Sequence, residues 1–195
     1  MLFDFESYTD GLRKGYNKFR WIEYSLSSSV MIALIAMLFG VYDIMTLIGI
    51  IGVNASMNLF GLNFEVMNSY KRDAGDTTVD WSAFWFGCFA GVIPWIIVYA
   101  PLAASADLSQ IPWFVWGILF SYAFFFNTFP INMYLQYAQI GSWSDAAYPD
   151  MKNGGYYYGE KWYQILSLAS KSILVWFTFG GTNQPQVSST TMPAL

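Results

Sequence analysis

Histidine is absent from the 195 residues, and cysteine occurs once, at Cys88. Without an imidazole, histidine-based acid–base or metal chemistry is excluded. A single thiol allows neither an intrachain disulfide nor a zinc-ligand cluster. Charge is scarce as well, at 11% of residues against roughly 25% in soluble globular domains. The basic residues are few and scattered, which gives no support to nucleic-acid binding. The net charge of −4 says little, because the acids lie mostly in connecting segments. The first twenty residues are not expected to be a secretory leader, since Asp4, Glu6 and Asp10 are followed by Arg13, Lys14, Lys18 and Arg20. The first apolar span is therefore expected to act as its own insertion signal.

What the chain has is apolar surface, with 55% hydrophobic and 21% aromatic residues. A water-soluble fold of this length could not hide so much. Charge-free stretches run from Tyr24 to Tyr42, Ile44 to Phe64, Trp81 to Ala106 and Leu108 to Ser144, and the chain is apolar again around Lys171. Each is long enough for the ~20 residues of a bilayer-spanning helix. The expected fold is all-α, a polytopic transmembrane bundle of five spans at about 18–41, 44–67, 81–104, 110–138 and 160–181. Residues 1–17 form an N-terminal segment, 18–181 the transmembrane domain, and 182–195 a tail expected to fray. The connectors carry turn formers: Gly75 with three Asp in one, and Pro149, Gly154 and Gly155 in another.

Basic residues in short loops are retained on the cytoplasmic side. Eight of the nine lie in the N-terminal segment, the second connector or at the fourth, and the ninth is Lys171. This predicts a cell-membrane protein with a cytoplasmic N-terminus and an extracytoplasmic C-terminus. Trp21, Trp81, Trp143, Tyr156 to Tyr158 and Trp162 fall near span ends, as an interfacial aromatic belt would. Gly87, Ala90 and Gly91 are suited to close helix packing. Pro94 and Pro130 lie within spans and should kink them.

Lys171 is ten residues beyond Lys161, or about 15 Å along a helix, which places it close to the bilayer centre. An ammonium there is costly unless paired. One reading is a lysine that snorkels or neutralises a buried acid. The other is a desolvated amine able to condense with an aldehyde as a Schiff base. Such a cation needs a fixed negative partner, and Glu23 is the candidate, although an interfacial acid pairing with Arg20 is the alternative. Ser27 lies one turn beyond Glu23, and Ser167 one turn before Lys171. Asn54 and Asn58 share one face of the second span, suited to interhelical hydrogen bonds or to ligand contact. Glu65 and Asp43 sit at span ends and are expected to face water.

Several segments together resemble heliorhodopsin: Arg20 to Val30 (RWIEYSLSSSV), Gly52 to Met57 (GVNASM), Phe84 to Cys88 with Pro94 and Trp95, Tyr134 to Tyr137, and Leu166 to Ser172 (LSLASKS). They occur in the family's order and cover nearly the whole chain. The resemblance implies a retinal-binding microbial rhodopsin, with these spans similar to helices three to seven of a seven-helix fold whose N-terminus is cytoplasmic. It implies all-trans retinal bound covalently to Lys171, Glu23 as counterion, and Ser27 and Ser167 hydrogen-bonding around the pair. Asn54, Met57, Trp85 and Phe126 match positions lining the family's pocket. Met133 stands where relatives are expected to carry glutamine. The family's first two helices, with their proton-accepting histidines, have no counterpart. The chain is thus expected to be either a fragment or miscalled gene product, or a five-helix relative whose pocket is open on one side.

A proton pump needs ionisable groups across the membrane. Here Ser27, Leu34 and Ser167 occupy the positions where pumping rhodopsins tend to place carboxylates. The expected function is therefore light sensing or signalling, neither pumping nor enzymatic. Expected partners are the lipid bilayer, retinal, a homodimer mate and a signalling protein that the sequence does not identify. The alternatives are a truncated or non-photoactive membrane scaffold and a small transporter or channel.

Overall fold

Long apolar runs broken by a few capping residues give the chain its helices. The computed structural model describes residues 5–104 and 113–182. Among them are six α-helices: α1 (Phe5–Lys14), α2 (Lys18–Leu38), α3 (Ile44–Asp73), α4 (Ser82–Ala104), α5 (Trp113–Tyr137) and α6 (Gly154–Thr182). The outer part of the expected fourth span, 110–112, and all of the tail beyond Thr182 lie outside the described residues.

Caps decide where each helix begins and ends. The Asn17 side chain accepts from the Arg20 amide to start α2. Gly40 stops it, in a left-handed conformation (φ 87°) that places the Val41 amide on the Ala36 carbonyl. Asp43 starts α3 by accepting from the Thr46 amide and hydroxyl at 2.7 Å each, and these bonds hold its carboxyl below the usual range. Lys71 and Arg72 in the last turn of α3 suit the negative end of its dipole. Consequently α3 runs to Asp73, six residues past the expected end. Asp145 accepts from the Gly155 amide at 2.9 Å and starts α6 early, at Gly154. The segment read as an N-terminal extension contains a helix of its own, α1.

Among the described residues, four helices are long and apolar enough to cross a membrane: Lys18–Leu38, Ile44–Asp73, Ser82–Pro101 within α4, and Trp113–Tyr137. The fifth expected span, α6, is 29 residues long but carries Glu160, Lys161 and Lys171, and is not among those four. In lipid the exposed Leu26, Val30, Phe89, Ile96, Leu168 and Val175 carry no hydrophobic penalty. Association of the helices then rests on close packing and interhelical polar bonds.

The helices pair mainly as α2 with α3, α3 with α4, and α5 with α6. Two buried clusters tie these pairs together. One gathers Ile32, Ile35, Ile50, Trp95, Ile118 and Tyr122; the other gathers Trp21, Tyr24, Phe64, Phe84, Met133 and Tyr163. Trp21 and Tyr156, expected in an interfacial belt, are buried instead. Trp21 packs against Gly61 of α3, where a Cβ would strike the indole ring. Gly61→Ala should destabilise the protein by about 1–3 kcal/mol through overpacking, read as a lower thermal midpoint in detergent. An unchanged midpoint would show that the indole can move aside. Gly87 and Gly91 play the packing role read from the sequence: the space a Cβ would take is filled by Phe60, Met57 and Phe126.

Candidate functional site

Between the two clusters lies a cavity of about 270 Å³, walled mainly by aromatic and aliphatic side chains. That volume is just below the roughly 300–1,000 Å³ typical of ligand pockets. Lys171, Ser27, Ser167, Asn54, Met57 and Phe126 all line it. Residues far apart in sequence are thus brought to one chamber by α2, α3, α5 and α6.

Lys171 Nζ hydrogen-bonds Glu23 Oε1 at 2.5 Å, joining α6 to α2. The two side chains are 36% and 49% exposed, so the pair sits at the open edge between those helices while the lysine also reaches the chamber. Arg20 does not compete for Glu23, since its guanidinium is turned to other acids. The helical period explains this: Arg20 and Tyr24 face inward, whereas Ile22, Glu23 and Leu26 face outward. Lys171 Nζ also lies 5.8 Å from the centre of the Tyr24 ring. Ser27 Oγ is buried with no hydrogen-bond partner among the described residues, one turn along α2 from Glu23.

Asn54 and Asn58 make interhelical bonds and line the chamber at once. Asn54 Nδ2 donates to Ser28 Oγ at 2.7 Å and Ser29 Oγ at 3.1 Å, and Asn58 Nδ2 donates to Ser28 Oγ at 3.0 Å. Trp85 departs from expectation. It is 63% exposed and absent from the chamber wall, which Phe84 and Cys88 line in its place. One residue along a helix turns the side chain by about a quarter of a revolution, so Phe84 faces in and Trp85 faces out. Met133, which stands where relatives are expected to carry glutamine, also lines the chamber.

A second polar group escaped the sequence reading. Glu65, expected to face water, is fully buried. Arg20 Nη2 donates to Glu65 Oε1, and Arg20 Nη1 donates to Glu160 Oε1. The Arg20 guanidinium also lies 3.8 Å from the centre of the Tyr163 ring. Nearby, burial and the Glu160 charge raise the Tyr8 phenol above its ordinary range. Glu65 looked peripheral because the first charged residue after an apolar run was read as the span end, and α3 continues two turns further.

Helices of this length, the apolar exterior and the largely apolar chamber between them define a multi-pass helical membrane protein with a cavity inside the bundle. The model of the heliorhodopsin family matches residues 1–183, and the chain belongs to that family. Heliorhodopsins carry a retinal chromophore. No curated protein matches the chain significantly.

Proposed function

We propose that this heliorhodopsin holds all-trans retinal covalently at Lys171 and serves as a light sensor, not as an ion pump or an enzyme. The observation that carries this reading is the 2.5 Å contact of Lys171 Nζ with Glu23 Oε1 at the wall of an apolar chamber. The residues suit the group. The chamber is apolar along most of its wall, Lys171 is the one lysine lining it among the described residues, and the buried Ser27 hydroxyl, also in the wall, has no partner among them.

When bound, retinal supplies visible absorption and a photoisomerisation. Lys171 Nζ would hold the group covalently, and Glu23 would supply the negative charge that favours a proton on that nitrogen. The Ser27 and Ser167 hydroxyls are placed to hydrogen-bond around the pair. Asn54, Met57 and Phe126 form walls whose fit changes with chromophore shape, biasing a two-state bundle. Pumping is disfavoured because Ser27, Leu34 and Ser167 supply no carboxylates.

In this reading α6 is the fifth span, with Glu160 paired to Arg20 and Lys171 to Glu23. Residues 1–17 then lie on the cytoplasmic side and the C-terminus outside, following the basic residues. The bilayer surrounds the bundle, and a signalling protein or a second copy reads its state.

Reconstitution with all-trans retinal tests the reading, and Glu23→Gln tests the counterion. The variant pigment should absorb at longer wavelength, and its imine should lose the proton about one pH unit lower. That is the small end of the effect of a close opposite charge, because the pair is half-exposed. Absorption titrations of both pigments in membranes measure this. An unchanged spectrum and titration would assign the counterion to another residue.

A further inference from the structure

Glu65 and Glu160 meet a single guanidinium in a space closed to solvent. Each carboxylate takes one bond from Arg20 and one from Asn17. The Asn17 backbone amide donates to Glu65 Oε2 at 2.9 Å, and Asn17 Nδ2 donates to Glu160 Oε2 at 2.8 Å. Asn17 brings dipoles but no charge. Two ionised acids around one arginine therefore leave a negative charge unbalanced, of which the N-terminus of α2 offsets about half.

The side chains facing the cluster are Tyr8 from α1, Trp21 and Tyr24 from α2, Tyr137 from α5, and Tyr156 and Tyr163 from α6. None of these is a cation. Arg72 of α3 reaches the Lys14 and Gly15 carbonyls, and Lys18 hydrogen-bonds Ser7. An unpaired charge buried at such depth is strongly disfavoured, and taking up a proton removes it.

The cluster is also joined to the lysine site. Arg20 and Glu23 are one turn apart on α2. The Arg20 guanidinium lies 3.8 Å over the Tyr163 ring, the Tyr24 hydroxyl donates to the Tyr163 carbonyl at 2.9 Å, and Lys171 Nζ is 5.8 Å from the Tyr24 ring centre. We propose that Glu65 and Glu160 bind one proton between them around Arg20, and that the charge on the Glu23–Lys171 pair sets how tightly it is held. With the proton bound, one carboxylic acid and one carboxylate balance one guanidinium, and α6 is held to α2 and α3. Once the proton leaves to solvent, two carboxylates repel across the same guanidinium and that end of the bundle loosens. Coupling of this kind is reciprocal, so a change of charge at Lys171 or Glu23 moves the proton equilibrium.

The site needs no chromophore, so the full chain in lipid without retinal tests it. Infrared spectra of [13C]glutamate-labelled protein, with exchange into D2O, report any protonated glutamic acid. The wild type should show one acid carbonyl band at neutral pH. Glu65→Gln and Glu160→Gln should each abolish it, since either leaves Arg20 with one carboxylate and no charge to neutralise. Absence of the band from the wild type overturns the proposal. Survival in either variant also overturns it, because the proton would then belong to one acid alone.

Glu23→Gln should lower the proton affinity about fivefold by removing a nearby negative charge. A titration midpoint identical to the wild type refutes the coupling. Should a glutamine variant not fold, carbon NMR of the labelled wild type decides: two glutamate carboxyls titrating with a common midpoint are expected, and independent midpoints contradict a shared proton.

Discussion

Membranes containing the wild-type chain should turn coloured with all-trans retinal, whereas Lys171→Ala membranes should remain without a visible pigment. Of the lysines, Lys18 bonds Ser7 near α1 and Lys71 pairs with Asp76 in the connector after α3, while Lys171 reaches the chamber. The effect should be all-or-none, because visible absorption of this kind requires the protonated imine and Lys171 is the one lysine lining the cavity among the described residues. Lys171→Arg should fail equally. It keeps the charge and the bond to Glu23, but a guanidinium does not form the imine. A coloured alanine variant would mean that the chamber holds its ligand without a covalent bond.

Removal of Arg20 should be the most damaging single change to stability. Arg20→Gln leaves two acids buried without their guanidinium, a loss of about 3–5 kcal/mol for a buried ion pair with one partner removed. For a chain of this length that is a fall in thermal midpoint on the order of 10 °C. The single variants Glu65→Gln and Glu160→Gln should fall much less, since either leaves one acid facing one arginine with Asn17 still bonded to both sites. A midpoint for Arg20→Gln no lower than for the glutamine variants would show that the cluster does not hold the helices together. Tyr163, fully buried beneath the guanidinium, would then be the stronger tie between α2 and α6.

The parts of the fold legible in the sequence were those governed by local composition. Apolar runs without charge marked α2 through α5, and the starts at Lys18 and Ile44 coincided with capping residues at Asn17 and Asp43. Helix ends were less legible. The tyrosines between Gly155 and Gly159 lack the look of a span, yet α6 begins at Gly154 because Asp145 caps it and the glycines let it press against Tyr148 and the Trp143 backbone. Neither cue is visible without the preceding loop in place. The helix in residues 5–14 was missed for a similar reason, being short and polar.

At the site, spacing along single helices places residues on a shared face. Ser27 one turn from Glu23, and Ser167 one turn from Lys171, both reach the chamber. Phase was harder to read: a residue beside a wall residue faces outward, as Trp85 does next to Phe84. What could not be read at all was the partnership of Arg20 with Glu65 and Glu160, 45 and 140 residues away. No local pattern distinguishes a buried acid from an interfacial one until the helices that bury it are assembled.

Attachment itself can be measured independently of colour. Reduction of the retinal-treated wild type with borohydride, proteolysis and mass spectrometry should locate a retinyl group on the peptide containing Lys171 and on no other. A retinyl group on Lys161, Lys18 or any other lysine, or none on the Lys171 peptide of a coloured sample, would contradict the account.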